Sequence, residues 1–159
     1  MSEGNRPGVS EYGSVDPAPP SKEKNIDLLI SILLDEEEKM FERMRTIFSL
    51  RNNRSGEAVT ALCQGFSVES ALLRHELAYV LGQMQDSLAV PTLISVLSDE
   101  EEHVMVRHEA AEALGAIGDM AAKSTLEKFL TNPNPEVSES CEVALDLLAL
   151  CNSEQNIDW

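Results

Sequence analysis

With 159 residues and 43% hydrophobic content, the chain is long enough for one domain with a core of its own. Its formal charge of −16, from 28 acidic against 12 basic side chains, argues against a nucleic-acid ligand, because phosphates need Lys and Arg; it leaves a cationic partner or plain solubility as its meaning. Aromatic residues make up only 4%, and a core rich in Leu, Ala and Val suits close-packed helices better than a β-sandwich, so the expected class is all-α.

Residues 1–24 contain Gly4, Pro7, Gly8, Gly13, Pro17, Pro19 and Pro20 with almost no apolar periodicity, and are expected to form a mobile or extended, linker-like segment. The texture changes at Ile26. Ile26, Leu29, Ile30, Leu33 and Leu34 recur at helical spacing, and the acidic run Asp35 to Glu38 is expected to open a second helix, where carboxylates suit the positive end of the helix dipole. The repeat domain is expected over 25–151, followed by a tail over 152–159. Cys63, Cys141 and Cys151 share no metal-knuckle or disulfide spacing, which fits a reducing compartment. No run approaches the roughly 18 apolar residues of a membrane span, and the polar start lacks the apolar stretch of a secretory signal. The expectation is a soluble, cytoplasmic protein with no membrane partner.

Aligned on itself, the chain shows four related segments, beginning at Arg43, Arg74, Arg107 and Ser138, with successive offsets of 31, 33 and 31 residues. Second helices are expected between them near 56–66, 89–98 and 121–131, with turns containing Gly56, Pro91, Gly118 and Pro133. A helix pair recurring at this period is an α-solenoid, in which each pair buries its apolar face by stacking on its neighbours. The ankyrin and tetratricopeptide signatures are absent, which leaves short HEAT-like pairs.

Two of the three histidines occur in one context, Arg74-His75-Glu76-Leu77-Ala78 and Arg107-His108-Glu109-Ala110-Ala111, one repeat apart. The aligned positions in the outer segments are Met44-Arg45 and Glu139-Ser140, so His-Glu is confined to the middle two repeats. On a helical wheel Leu73, Leu77, Val80, Leu81 and Met84 share a core face, and His75 lies opposite with Ala78 and Gly82. His108 has Ala111 and Gly115 at the same offsets. These small residues would either leave room for an ion and a substrate or let helices pack closely; Met105, one turn before His108, would border the same pocket. Imidazole and carboxylate without thiolate suit iron, manganese or zinc, and such a set with open positions is used by non-haem Fe(II) oxygenases. The candidate ligands are therefore His75, Glu76, His108 and Glu109. His103 follows an acidic run at a helix entrance and is expected to be exposed. No phosphate loop, nucleophile elbow or His-Glu-x-x-His motif is present.

Ser70 to Gln83 and Met105 to Ile117, both built around Arg-His-Glu, resemble the deoxyhypusine hydroxylases, HEAT-repeat di-iron monooxygenases that complete hypusine on a small translation factor. That family has two similar halves, each with two His-Glu motifs. Asp35 to Asn52 resembles the start of the second half, Ser14 to Pro20 the linker before it, and Ser140 to Leu145 the family's C-terminal end. The resemblance implies that His75 and His108 hold one Fe2+, that Glu76 reaches the iron whose histidines lie in the other half, and that Glu109 is the carboxylate of the fourth motif. The complete site has two irons, so one or none is expected in this half alone. Activity would then need a second copy or the missing half, and the sequence is expected to be a truncated product, a splice form or a fragment. The competing expectation is a non-catalytic HEAT-repeat module that binds a cationic protein.

Overall fold

Helix starts follow from short polar side chains placed just before apolar runs. Asn25, Ser55 and Ser70 each accept a hydrogen bond from the backbone N–H three residues on, one of the donors that a helix leaves unpaired in its first turn. The computed structural model describes residues 6–153, and among these it contains α1 (Ile26–Leu34), α2 (Met40–Asn53), α3 (Gly56–Gln64), α4 (Ala71–Met84), α5 (Val90–Ser98), α6 (Val104–Ile117), α7 (Lys123–Lys128) and α8 (Pro135–Cys151). Short 3-10 turns join several of them, and no strand occurs among the described residues. The fold is an all-α solenoid, with α2, α4, α6 and α8 carrying the four aligned segments and α1, α3, α5 and α7 forming the second layer.

The repeat extends to details of the backbone. Arg54, Gln85 and Gly118, spaced by 31 and 33 residues, all adopt the left-handed conformation that ends α2, α4 and α6, with φ of 63°, 54° and 79°. Arg43, Arg74 and Arg107 open the aligned segments, and each donates from its guanidinium to backbone carbonyls just upstream. Arg43 Nε reaches Leu33 O and Arg107 Nε reaches Leu97 O, both at 2.9 Å; Arg74 Nη1 reaches Val68 O at 2.9 Å and Glu69 O at 2.7 Å. Leu33 and Leu97 lie in the last turns of α1 and α5, where carbonyls have no partner within the helix. A cation there is also favoured by the helix dipole.

Several expectations need correcting. The run 35–38 does not open α2; Asp35 ends α1, the helix starts at Met40, and Glu36 instead pairs with Arg43 at 3.2 Å and accepts from the Glu69 N–H. Gly56 and Pro91 sit in the first turns of α3 and α5, not in the connections before them. The stripe of small residues placed on the outside is in fact buried, because Ala78, Gly82, Ala111 and Gly115 form the surface on which neighbouring helices stack. A Cβ on Gly82 would lie 3.1 Å from Ala113 Cα, and one on Gly115 would lie 3.0 Å from both Ala144 Cα and Cβ. Both glycines sit at close helix contacts, the packing reading of the two left open for them.

Over residues 6–24, the described part of the segment expected to be linker-like, the chain forms no helix and lies against α2. Arg51, buried completely, donates to Asp16 Oδ1 at 3.0 Å and Oδ2 at 2.7 Å, and to Gln83 Oε1 at 3.0 Å. Its guanidinium lies between the rings of Tyr12 and Phe48, at 4.6 and 4.8 Å from their centroids. Ala18 is buried, Ser21 bonds to Ser49, and Arg45 donates to the carbonyls of Pro19 and Pro20. The tail expected over 152–159 lies, from 154 on, outside the described residues.

Burial works to raise the Asp16 carboxyl, but the hydrogen bonds from Arg51 and Ser14 outweigh it and hold the group below the ordinary carboxylate range. A carboxyl lowered in this way stabilises the fold above its unfolded pKa, about 3.9, and that contribution disappears as pH falls through the folded value. Segment 6–24 should therefore stay docked at neutral pH and detach in acid, seen as protease cleavage confined to this stretch. Asp16→Asn, which leaves Arg51 buried without its counter-charge, should cost up to about 3–5 kcal/mol in urea unfolding. Gly115→Val should cost about 1–3 kcal/mol by forcing α6 from α8, whereas Gly8→Ala, with nothing within 4 Å of the added carbon, should leave the unfolding midpoint unchanged.

Candidate metal centre

α4 and α6 pack with Gly82 against Ala113, and toward the start of the same contact His75 of α4 meets Glu109 of α6, His75 Nε2 lying 3.0 Å from Glu109 Oε1. The same carboxylate oxygen lies 3.5 Å from His108 Nε2. Two imidazole nitrogens from consecutive repeats thus converge on a single oxygen. Glu112, one turn after His108, brings Oε1 to 3.7 Å from His108 Nε2, and one donor atom each from His108, Glu109 and Glu112 falls within a span of 4.8 Å.

Glu76 stands at the edge of this group, its Oε1 3.8 Å from His75 Nδ1. Burial is the first cause raising the pKa of both Glu76 and Glu109; neighbouring carboxylates add to it, and the imidazoles oppose it. Among the described residues no Lys or Arg forms an ion pair with Glu76, Glu109 or Glu112. The side chains of Glu76 and Glu109 keep only 15% and 13% of their exposure, so these carboxylates are largely desolvated with imidazole as their close polar company. A cation is the kind of partner that suits such a set.

The donors fit iron. They are nitrogen and oxygen, they come from rigid helices, and thiolate is not among them. Burial pushes the Cys141 thiol up to about 11 and raises Cys63 as well, so both stay protonated.

A groove of about 290 Å3 runs beside Glu109 between α4 and α6, lined by Tyr79, Gly82, Gln83, Glu112, Ala113 and Ala116. Gly82, expected at the substrate side, lies in its wall. Gly115 does not, being turned to α8, and Met105 is exposed outside the lining. His103 is exposed and caps α6, its Nδ1 accepting from the Met105 N–H at 3.1 Å. A larger cleft of about 720 Å3 between residues 6–11 and the end of α2 contains none of the three histidines. Glu112 was not singled out from sequence, although its four-residue spacing from His108 puts it on the same helix face.

A model of HEAT repeats matches residues 59–146, more than half of the sequence. The chain belongs to the HEAT-repeat family. It is 50% identical to deoxyhypusine hydroxylase of Gallus gallus over 152 residues, 96% of this chain and 51% of that protein. It is 49% identical to the Homo sapiens protein of that name over 144 residues, covering 91% and 48%, and 52% identical to the Arabidopsis thaliana one over 151 residues, covering 94% and 48%. The solved structure of human deoxyhypusine hydroxylase in complex with glycerol superposes with a TM-score of 0.88 at 48% identity, over 92% of this chain and 51% of the human one. The chain spans about half the length of the curated relatives it matches. No helix of the described residues is long and apolar enough to cross a membrane.

Proposed function

We propose that this chain supplies one half of the metal site of a deoxyhypusine hydroxylase, a di-iron, O2-dependent enzyme that hydroxylates the deoxyhypusine side chain of a translation factor in the cytoplasm. The convergence of His75 Nε2 and His108 Nε2 on Glu109 Oε1, at 3.0 and 3.5 Å, is the observation that carries this reading. The likeness to deoxyhypusine hydroxylases over most of the chain supports it.

His75 and His108 would hold one iron through Nε2. Glu109 would bind between them, and Glu76 would turn toward a second ion whose remaining ligands come from another half. Iron bound with open positions supplies the activation of O2. The rest falls to the side chains of this chain. Glu109 and Glu112 give the groove beside the ion an acidic wall that attracts the cationic substrate side chain, while Tyr79 and Ala116 contribute apolar surface along it. Gly82 keeps α4 and α6 close enough for the two imidazoles to share one carboxylate. Met105 and Gly115 lie outside the groove lining, and Gly115 serves the α6–α8 contact instead. The remaining ligands would come from a second copy or from the missing half, since His75, Glu76, His108 and Glu109 do not saturate two octahedral ions.

Anaerobic titration with Fe(II), followed by elemental analysis of each size-exclusion peak, tests this. The chain should bind iron, and His75→Ala or His108→Ala should each reduce the bound metal to background. Hydroxylation should appear only in fractions that contain two halves. A wild-type chain that takes up no Fe(II) would overturn the reading. Binding of a cationic protein that survives chelation, survives both histidine substitutions and weakens with salt would favour the non-catalytic module instead.

A further inference from the structure

The four aligned helices place Ser140 of α8 at the position occupied by Glu76 in α4 and Glu109 in α6. The register that brings His75 to Glu109 is repeated one step along. His108, one repeat after His75, meets Ser140, its Nδ1 2.6 Å from Ser140 Oγ. Ser140 is buried, and its hydroxyl proton is already donated to the Glu136 carbonyl one turn earlier in α8. A hydroxyl has a single proton to give. Toward His108 it therefore acts as acceptor, and the neutral imidazole carries its proton on Nδ1. Nε2 is then the nitrogen with the free lone pair, and it faces the Glu109 and Glu112 carboxylates, 3.5 and 3.7 Å away.

Without Ser140 the preference would reverse, because a proton on Nε2 could be donated to either carboxylate. We propose that Ser140 is a positioning residue, holding His108 in the tautomer and orientation that present Nε2 to a metal ion. It touches no ion itself. It is an outer partner of the kind that commonly accepts the second N–H of a ligating histidine. Among the described residues His75 has no such hydroxyl partner: its Nδ1 lies 3.8 Å from Glu76 Oε1, and its Nε2 is the nitrogen that meets Glu109. The two histidines are therefore not equivalent, and His108 is the one delivered ready for binding.

The inference rests on His108 being a metal ligand, so two readouts are needed on the same chain. The first is the 15N shifts of the imidazoles in the metal-free protein, where His108 should show a protonated Nδ1 and a bare Nε2. Ser140→Ala should move that proton to Nε2, and Ser140→Thr, which keeps the hydroxyl, should return it to Nδ1. The second is anaerobic Fe(II) affinity, which Ser140→Ala should weaken by about 10- to 100-fold while Ser140→Thr restores it. Ser138→Ala, at a half-buried hydroxyl that bonds to the Pro135 carbonyl within α8 and not to His108, should leave both readouts unchanged. A wild-type chain with Nε2 protonated, or a Ser140→Ala chain that binds Fe(II) as tightly as wild type, overturns the proposal while the metal reading stands. A wild-type chain that binds no Fe(II) overturns the metal reading, and this proposal with it.

Discussion

The close approach of α4, α6 and α8 is the constraint on which the site depends. Helix axes usually pack 8–10 Å apart, and the lower values need small side chains at the crossing. Gly82 against Ala113 and Gly115 against Ala144 provide them at repeat-equivalent positions. The contacts advance in the same direction along both helices of each pair, so the helices run parallel and a fixed register carries over from crossing to crossing. That register turns His75 toward Glu109 and His108 toward Ser140. A single bulky residue at either glycine would act on core stability and on ligand geometry together. Separating the helices would open both the core and the distances that a metal ion requires.

Electrostatics follows from where the arginines are committed. Arg43, Arg74 and Arg107 hold backbone carbonyls upstream of their helices, and Arg51 is committed to Asp16, Gln83 and its own neighbour Asn52. Arg74 also binds Glu102 through two bonds of 2.8 Å. These basic groups brace the solenoid. Glu76 and Glu109 are left with imidazoles as their close polar neighbours, and their raised pKa values register the cost of that desolvation. A protein with a formal charge of −16 does not by that fact alone hold a cation. Two largely buried carboxylates and two imidazole nitrogens gathered without a basic counter-ion make the stronger argument, because their charge is concentrated where solvent does little to screen it.

The repeat was legible in the sequence because its period lies in the identities of side chains: Arg at the start of three segments, His-Glu in two, Gly where helices cross. The helix set and the candidate ligands followed from that pattern. What escaped was the direction in which shared positions face. A wheel drawn for α4 alone has one buried side, yet a solenoid helix is covered by its layer partner and by the helices beside it, so Ala78 and Gly82 are as buried as Leu77. Ser140 escaped for a related reason. Its own repeat has no His-Glu motif, and its significance comes only from His108, the neighbour it meets across the helix interface. The docking of residues 12–21 was hidden too, since its contacts, led by the buried ion pair between Asp16 and Arg51, join residues 25 or more apart in a stretch whose composition says only that it is not helical.

A solenoid separates two properties that most enzymes keep together. Each repeat gains its stability from the repeats it touches, so a chain spanning half the length of its relatives can bury a continuous core. A metal site has no such locality, because octahedral ions need ligands from several directions and one layer of parallel helices provides them from one. In this chain the donors lie along a single face, and the side chains of His75 and His108 keep 29% and 23% of their exposure. Folding of such a half can therefore be complete on its own, and if these donors hold a metal, their exposed side is where further ligands would have to come from.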